Sequence, residues 1–278
     1  MEAGRSQWPP TFFRATTKDR GRVGRLRGLG LIGAKPGEWT DVPVPAYLIH
    51  HPGVGPILVD TGLHPSVATD PKDNLGRSMR KHYSLEAGQD VASRLRDRGI
   101  SPAEVAVVIL THLHNDHASA VSLFPESIFV VSSQEWEEAT SVRVPILHGY
   151  RPAQFDYAFD WCTVDFDGDF IESYGPFGRT FDLFGDGSIR LAFTPGHSAG
   201  HVSVIARLPR RDFVIVGDAA YNWAQFQGQA EPLLMHDEHN WRRSLKELQH
   251  YRQTYPYALL VPGHDPEYWE KLDARYAE

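Results

Sequence analysis

The stretch "VAVVILTHLHNDHASA" (residues 105–120) limits this chain more than any other part of it. Its first six residues have the length and β-branched content of a strand buried on both faces. A strand that dry should run out into ordinary turn residues. Here it runs into His112, His114, Asp116 and His117, groups that water solvates well. The pattern recurs three more times: "LAFTPGH" ends on His197, "FVIVGD" on Asp218 and "LLVPGH" on His264.

If those four strand ends share one edge of the fold, five imidazoles and two carboxylates converge. One tetrahedral zinc takes about four ligands, with one left to water in catalytic sites. Seven donors instead suit two metals ~3.5–4 Å apart, sharing a carboxylate and a water. His112 and His114 alternate as a strand end would place them, on one side, while Asp116 and His117 follow in the turn and can face a second ion. Nitrogen and oxygen donors without thiolate fit Zn, and also Fe, Co or Mn.

Composition narrows the setting. With 278 residues, 41% of them hydrophobic, the chain can bury a sizeable core and is not of the disordered class. A net charge of −7 argues against a polyanion partner such as nucleic acid. The single Cys162 can form neither an internal disulfide nor a sulfur-rich metal site. No apolar run approaches the roughly 20 residues of a membrane span. The opening "MEAGRSQWPP" lacks the apolar centre of a signal peptide. Arg20, Arg22, Arg25 and Arg27 have the basic character of a transit peptide, but Glu2, Asp19 and the early prolines oppose that reading. The expectation is a soluble cytoplasmic protein that meets neither nucleic acid nor membrane.

No repeat or linker interrupts the chain. It reads as one domain over 1–278, with an N-terminal arm (about 1–40) and an aromatic, irregular insertion (about 149–184). "VPAYLIHH" and "GPILVDTG" read as strands joined by the turn residues "PGVG". "SLEAGQDVASRLRDRGI" reads as a helix with Ser84 as its cap. "SIFVVSS" is a strand, "QEWEEAT" opens a helix, and "NWRRSLKELQHYRQ" is a late helix. Strands and helices alternate, so the fold class is α/β, with helices covering the sheets.

The ordered set H-x-H-x-D-H, then a lone His, a lone Asp and a final His, resembles the signature of the metallo-β-lactamase superfamily. The match runs from about Val59 to Asp265. The resemblance implies an αβ/βα four-layer sandwich with the metal site at the sheet edge. It implies that His112, His114 and His197 bind one ion, that Asp116, His117 and His264 bind the other, and that Asp218 bridges them. Asp60 in "VDTG" is similar to an early family motif whose aspartate is structural, so it is not expected to be a ligand. His201 is expected to support its neighbours and not to bind metal. The histidines without a pattern (His50, His51, His64, His82, His148, His236, His239 and His250) read as ordinary surface or core residues. Gly196 and Gly263, each just before a candidate ligand, are expected to permit tight turns.

Within the superfamily, "GDAAY" and "VPVPAYLI" resemble the N-acyl homoserine lactonases, the quorum-quenching branch. There a tyrosine three residues past the aspartate reaches into the active site; in this chain that is Tyr221. One departure is "DHASA", where these lactonases carry a glycine pair; Ser119 and Ala120 bear on the pocket and not on the metal chemistry. The reaction implied is opening of a lactone ring by a bridging hydroxide. Tyr221 would stabilise the carbonyl oxygen, and Asp116 would carry the proton to the leaving alkoxide. A glyoxalase II-type thioester hydrolase shares every ligand and stands as the alternative. A phosphotriesterase, or a redox member such as the flavodiiron branch, stands further off. If the lactone is acylated, Phe155, Tyr157 and Trp161 are candidate liners of its tail. The oligomeric state, a homodimer among the options, is not fixed by the sequence.

Overall fold

A computed structural model describes residues 1–15, 19, 21 and 39–277. Arg20, Arg22, Arg25 and Arg27, and with them the transit-peptide question, lie outside the described residues. The chain divides into two compact units, Met1–Ser6 with Pro43–Asp165, and Gln7–Val42 with Phe166–Glu278. Among the described residues no helix is long and apolar enough to cross a membrane.

In chain order the first eight strands are β1 (Glu2–Trp8), β2 (Thr40–Pro45), β3 (Tyr47–His51), β4 (Gly55–Val59), β5 (Tyr83–Ser84), β6 (Val107–Ile109), β7 (Ile128–Ser132) and β8 (Asp160–Val164). The first unit is built on a five-stranded sheet in the order β3-β4-β6-β7-β8. The expected hairpin closes it at one edge, with Tyr47 opposite Val59 and His51 opposite Gly55. From β4 onward the strands are parallel. Parallel strands are covered on both faces, which is why "PILV" and "VAVVIL" are continuous apolar runs without alternation. Ile57, Leu58, Val59, Val108, Ile109 and Leu110 are all 0% exposed. Because Val59 lies opposite Ile109, the residues that follow these two strands emerge side by side.

The helix expected from Ser84 begins later. It spans Val91–Arg96, and its cap is Asp90, whose carboxylate accepts the Ser93 N–H at 3.0 Å. Ser84 is taken by β5, which pairs with β1 at Arg5 and Ser6. A cap needs a chain free to turn, and a strand residue is not. The "QEWEEAT" helix runs over Ser133–Ser141 with Ser132 as its cap. The N-terminal arm is not loose at its start: β1 is the centre of a three-stranded sheet, β2-β1-β5, and a short helix follows at Pro10–Phe13.

Residues 149–184 are more regular than their composition suggests. They supply β8, and then β9 (Glu172–Tyr174) and β10 (Phe177–Asp182). Phe155 is fully buried in the first unit's core with Leu95, Phe124 and Phe129. Trp161 stacks on Phe129 at 4.8 Å and meets Trp136 at 4.6 Å. Phe155 therefore builds core and not a pocket wall, and Trp161, partly buried, packs against that core. Tyr157 is partly exposed and stacks on Phe159.

The remaining strands are β11 (Ile189–Phe193), β12 (Val202–Arg207), β13 (Asp212–Gly217) and β14 (Leu259–Pro262). The second unit's sheet has the order β14-β13-β12-β11-β10-β9. β14 runs parallel to β13, and β12 is antiparallel to both β11 and β13. Two antiparallel steps restore direction, so β11, β13 and β14 all end at the same edge. Those ends are the ones followed by His197, Asp218 and His264.

The late helix spans Glu238–Thr254 and is capped by Asp237. It buries Trp241, Ser244, Leu245, Leu248 and Tyr251, spaced as one helical face. Each large apolar side chain so buried contributes about 1.5–3 kcal/mol. The same face fixes the loops at the sheet edge. Ser244 Oγ donates to the Pro195 carbonyl at 2.8 Å, and Trp241 Nε1 donates to the Ala219 carbonyl at 2.9 Å.

Candidate metal centre

In the first unit the candidate residues hang on the end of β6. Asp60 follows β4 with φ 57°, the one non-glycine residue at positive φ among the described residues. Backbone strain of this kind is kept where neighbours over-determine it. The Asp60 carboxylate accepts the Thr111 N–H at 2.8 Å and the Thr111 hydroxyl at 2.9 Å. Its Oδ2 is also 2.9 Å from His117 Nδ1. The expected structural role of Asp60 is therefore filled by hydrogen bonds.

Two ring tautomers follow from this network. An ionised carboxylate only accepts, so His117 donates from Nδ1 and turns a lone pair outward at Nε2. Thr111 spends its proton on Asp60, so its oxygen accepts from His112 Nδ1 at 3.1 Å. His112 is thereby left with Nε2 as its acceptor nitrogen. A carboxylate behind a histidine, with the far nitrogen presented, is the usual arrangement behind a metal ligand. The His112 ring lies 4.5 Å from His114 and 4.0 Å from His117, centroid to centroid.

The rest of this half is held from behind. Glu135, 0% exposed, accepts the Leu113 N–H at 3.0 Å. Asn115 donates to the Gly149 carbonyl at 3.1 Å. A methyl group placed on Gly149 would stand 2.7 Å from His114 Cδ2, so this glycine is the floor beneath that ring. Asp116 sits 7% exposed, with Oδ1 at 4.0 Å from His117 Nε2 and 3.3 Å from the Tyr83 hydroxyl.

In the second unit, Asp218 stands between two histidines. His197 Nε2 is 3.2 Å from Oδ2, and His264 Nε2 is 3.1 Å from Oδ1. Two donors on one tetrahedral ion with bonds of about 2.0–2.2 Å stand roughly 3–3.5 Å apart. One carboxylate oxygen beside each histidine is the layout of a bridging ligand. The residues present therefore fit divalent ions. His201 does not join them: its Nε2 accepts the Asp218 N–H at 3.0 Å and its Nδ1 is 2.9 Å from Thr194 Oγ1. With both nitrogens occupied it orients Asp218, the supporting role expected.

Tyr221 is 3% exposed, and its hydroxyl lies 3.2 Å from His197 Nδ1. The ladder between β13 and β14 continues beyond the strands and fixes it, with His264 N–H donating to the Tyr221 carbonyl at 2.8 Å. Gln225 accepts the Tyr221 N–H at 2.9 Å and donates to the Phe13 carbonyl at 2.6 Å. Phe12 stacks on the Tyr221 ring at 5.8 Å, Phe13 meets it edge-on at 5.6 Å, and Trp8 stacks on Phe12 at 4.3 Å. Sequence reading missed this aromatic sleeve, although "WPPTFF" announces it once its destination is known. Thr111, Glu135 and Gln225 were also missed, since ordinary polar residues carry no signal until the fold gives them partners.

Gly263 and Gly196 serve different ends. A methyl on Gly263 would stand 2.5 Å from Asp218 Oδ1, so close approach, not turn geometry, is its requirement. Gly196 has φ 128° and lies against the Trp241 backbone, so it meets both.

This architecture is that of known proteins. A solved structure described as a quorum-quenching N-acyl homoserine lactone lactonase superposes with a TM-score of 0.74 and 20% identity, over 98% of this chain and 93% of that one. That likeness establishes the metallo-β-lactamase fold, the αβ/βα sandwich expected. The family model of the metallo-beta-lactamase superfamily matches residues 39–264, and the chain belongs to that superfamily. An N-acyl homoserine lactonase AttM of Rhizobium radiobacter is 32% identical over 232 residues, 82% of this chain and 84% of that protein. The N-acyl homoserine lactonase AiiB of Agrobacterium fabrum is 29% identical over 244 residues, 84% of this chain and 83% of that protein. With this membership comes the class: the chain is a hydrolytic enzyme.

Proposed function

We propose that this protein opens the lactone ring of N-acyl homoserine lactones or similar lactones, using two divalent ions. In this reading His112, His114 and His197 would hold one ion, Asp116, His117 and His264 would hold the other, and Asp218 would serve both. The donor set, nitrogen and oxygen without sulfur, suits zinc and equally iron, cobalt or manganese. The observation that carries the lactone reading is Tyr221. It lies three residues past Asp218 and is fixed against His197, in a chain whose curated relatives are named N-acyl homoserine lactonases.

Ions held there would supply a hydroxide near neutral pH and polarise the lactone carbonyl. The protein's own groups do the rest. Asp60 and Thr111 hold His112 and His117 in the tautomers that present Nε2. The Tyr221 phenol is a neutral donor, suited to the oxyanion that grows as the carbonyl is attacked. Asp116, buried and acidic, receives the proton of the attacking water and delivers it to the departing alkoxide. No nucleophilic side chain is required; Cys162 is exposed on β8 and plays no part.

Elemental analysis of protein saturated with metal and then desalted tests the dinuclear reading. The expected content is two ions per chain; one ion or none at saturation would overturn it.

A further inference from the structure

Tyr83 is a buried tyrosine whose hydroxyl faces the candidate metal centre. It belongs to β5, a strand of two residues, and its backbone is paired to Ser6 of β1. The side chain is 9% exposed, and its hydroxyl lies 3.3 Å from Asp116 Oδ1, in a buried setting. The two residues are 33 apart in sequence. A phenol facing an ionised carboxylate can only donate, and it brings no charge of its own. Asp116 is thus oriented without placing a positive charge beside an incoming cation, as Lys or Arg would.

The consequence concerns one ion and not the other. His112, assigned to the first ion, is oriented through Thr111, whereas the Tyr83 hydroxyl reaches Asp116, assigned to the second together with His117. Resting on the two-ion reading, we propose that Tyr83 is a positioning residue that fixes the Asp116 carboxylate and so sets the affinity of the ion that Asp116 serves. Partners of this kind change metal affinity by about 10–100-fold when removed. At 3.3 Å the bond is longer than the usual ~2.7–2.8 Å, which places the effect at the lower end, about 10-fold.

The test is a titration of chelator-stripped protein with Co(II), followed by the visible absorption of the bound ion, on the wild type and on Tyr83→Phe. Thermal unfolding of both proteins is recorded with and without metal. The wild type should take up two ions in distinguishable steps. Tyr83→Phe should bind one of the two ions about 10-fold more weakly, keep the wild-type affinity for the other, and unfold at the wild-type temperature when stripped. Equal affinity for both ions in the two proteins would overturn the proposal. So would parallel loss of stability in the stripped protein and of affinity at both steps, which is the mark of a packing role. A wild type that binds a single ion would remove the two-ion reading and this inference with it, and that outcome is visible before the variant is compared.

Discussion

The carboxylate of Asp60 lies 2.9 Å from His117 Nδ1 and, through Thr111 Oγ1, also governs His112 Nδ1 at 3.1 Å. One buried acid therefore sets two ring tautomers without being a ligand itself. Asp60→Asn keeps a side chain that tolerates the left-handed backbone there but loses the charge. The variant is expected to fold and to bind metal about 10–100-fold more weakly. Competition with a chromophoric chelator measures this; unchanged affinity would leave Asp60 as a loop staple only.

Gly263 tests the bridging role proposed for Asp218 without altering any proposed ligand. A methyl group there must displace Asp218 Oδ1 or the Gly217 carbonyl, which stands 2.9 Å from the added carbon. Gly263→Ala is expected to lose metal and most of the activity. Asp218→Ala is expected to be more severe than His197→Ala, because it removes the negative charge set between two cations. Metal content and kcat/KM across the three variants give the order. Equal losses at Asp218 and His197 would speak against a shared ligand.

Tyr221→Phe removes one hydroxyl and leaves the ring that Phe12 and Phe13 enclose. Lactone turnover is expected to fall about 10-fold, or ~1.4 kcal/mol, with fold and metal content intact. This is less than the ~10²–10³ lost with an oxyanion-hole donor elsewhere, because the metals share the load. Unchanged kinetics across several lactones would retire the tyrosine.

Much of the candidate site was legible because its physics is local. A dry strand ending in an imidazole announces itself wherever it occurs, and His112, His197, Asp218 and His264 all follow strands that the apolar runs reveal. What stayed hidden depends on partners far along the chain. Tyr83 meets Asp116 only because β5 pairs with β1, and Phe12 meets Tyr221 only because residue 13 is tied to Gln225. The capping preference of Ser84 misplaced the helix start for a related reason: the pairing of β5 with β1 outweighs it, while the periodic Val91 and Leu95 do lie in the helix. The aromatic stretch misled because composition cannot tell a pocket wall from a core. Phe155, fully buried, belongs to the core, and Trp161, partly buried, packs against it through Phe129.

Phe12, partly exposed and stacked on the Tyr221 ring at 5.8 Å, is the side chain we propose to meet an acyl tail. Each tail methylene buried there is worth about 0.8 kcal/mol, close to fourfold in affinity. kcat/KM is expected to rise with acyl length over short chains and then level off. Phe12→Ala should flatten that rise while leaving the metal content unchanged. A rise of the same steepness in Phe12→Ala would place the tail elsewhere. A flat wild-type response would favour a lactone without a long tail.

Reaction class is the central claim, and a side-by-side assay of the metal-replete protein tests it most directly. N-acyl homoserine lactones, a glutathione thioester and a phosphotriester are offered at equal concentration, and the ring-opened acid, the free thiol and the released phenol are quantified. The lactones are predicted to be turned over at least about 10-fold faster than either competitor, a transition-state preference of roughly 1.4 kcal/mol or more. Preferential thioester cleavage, or no ring opening by protein carrying two ions, would contradict the lactonase assignment.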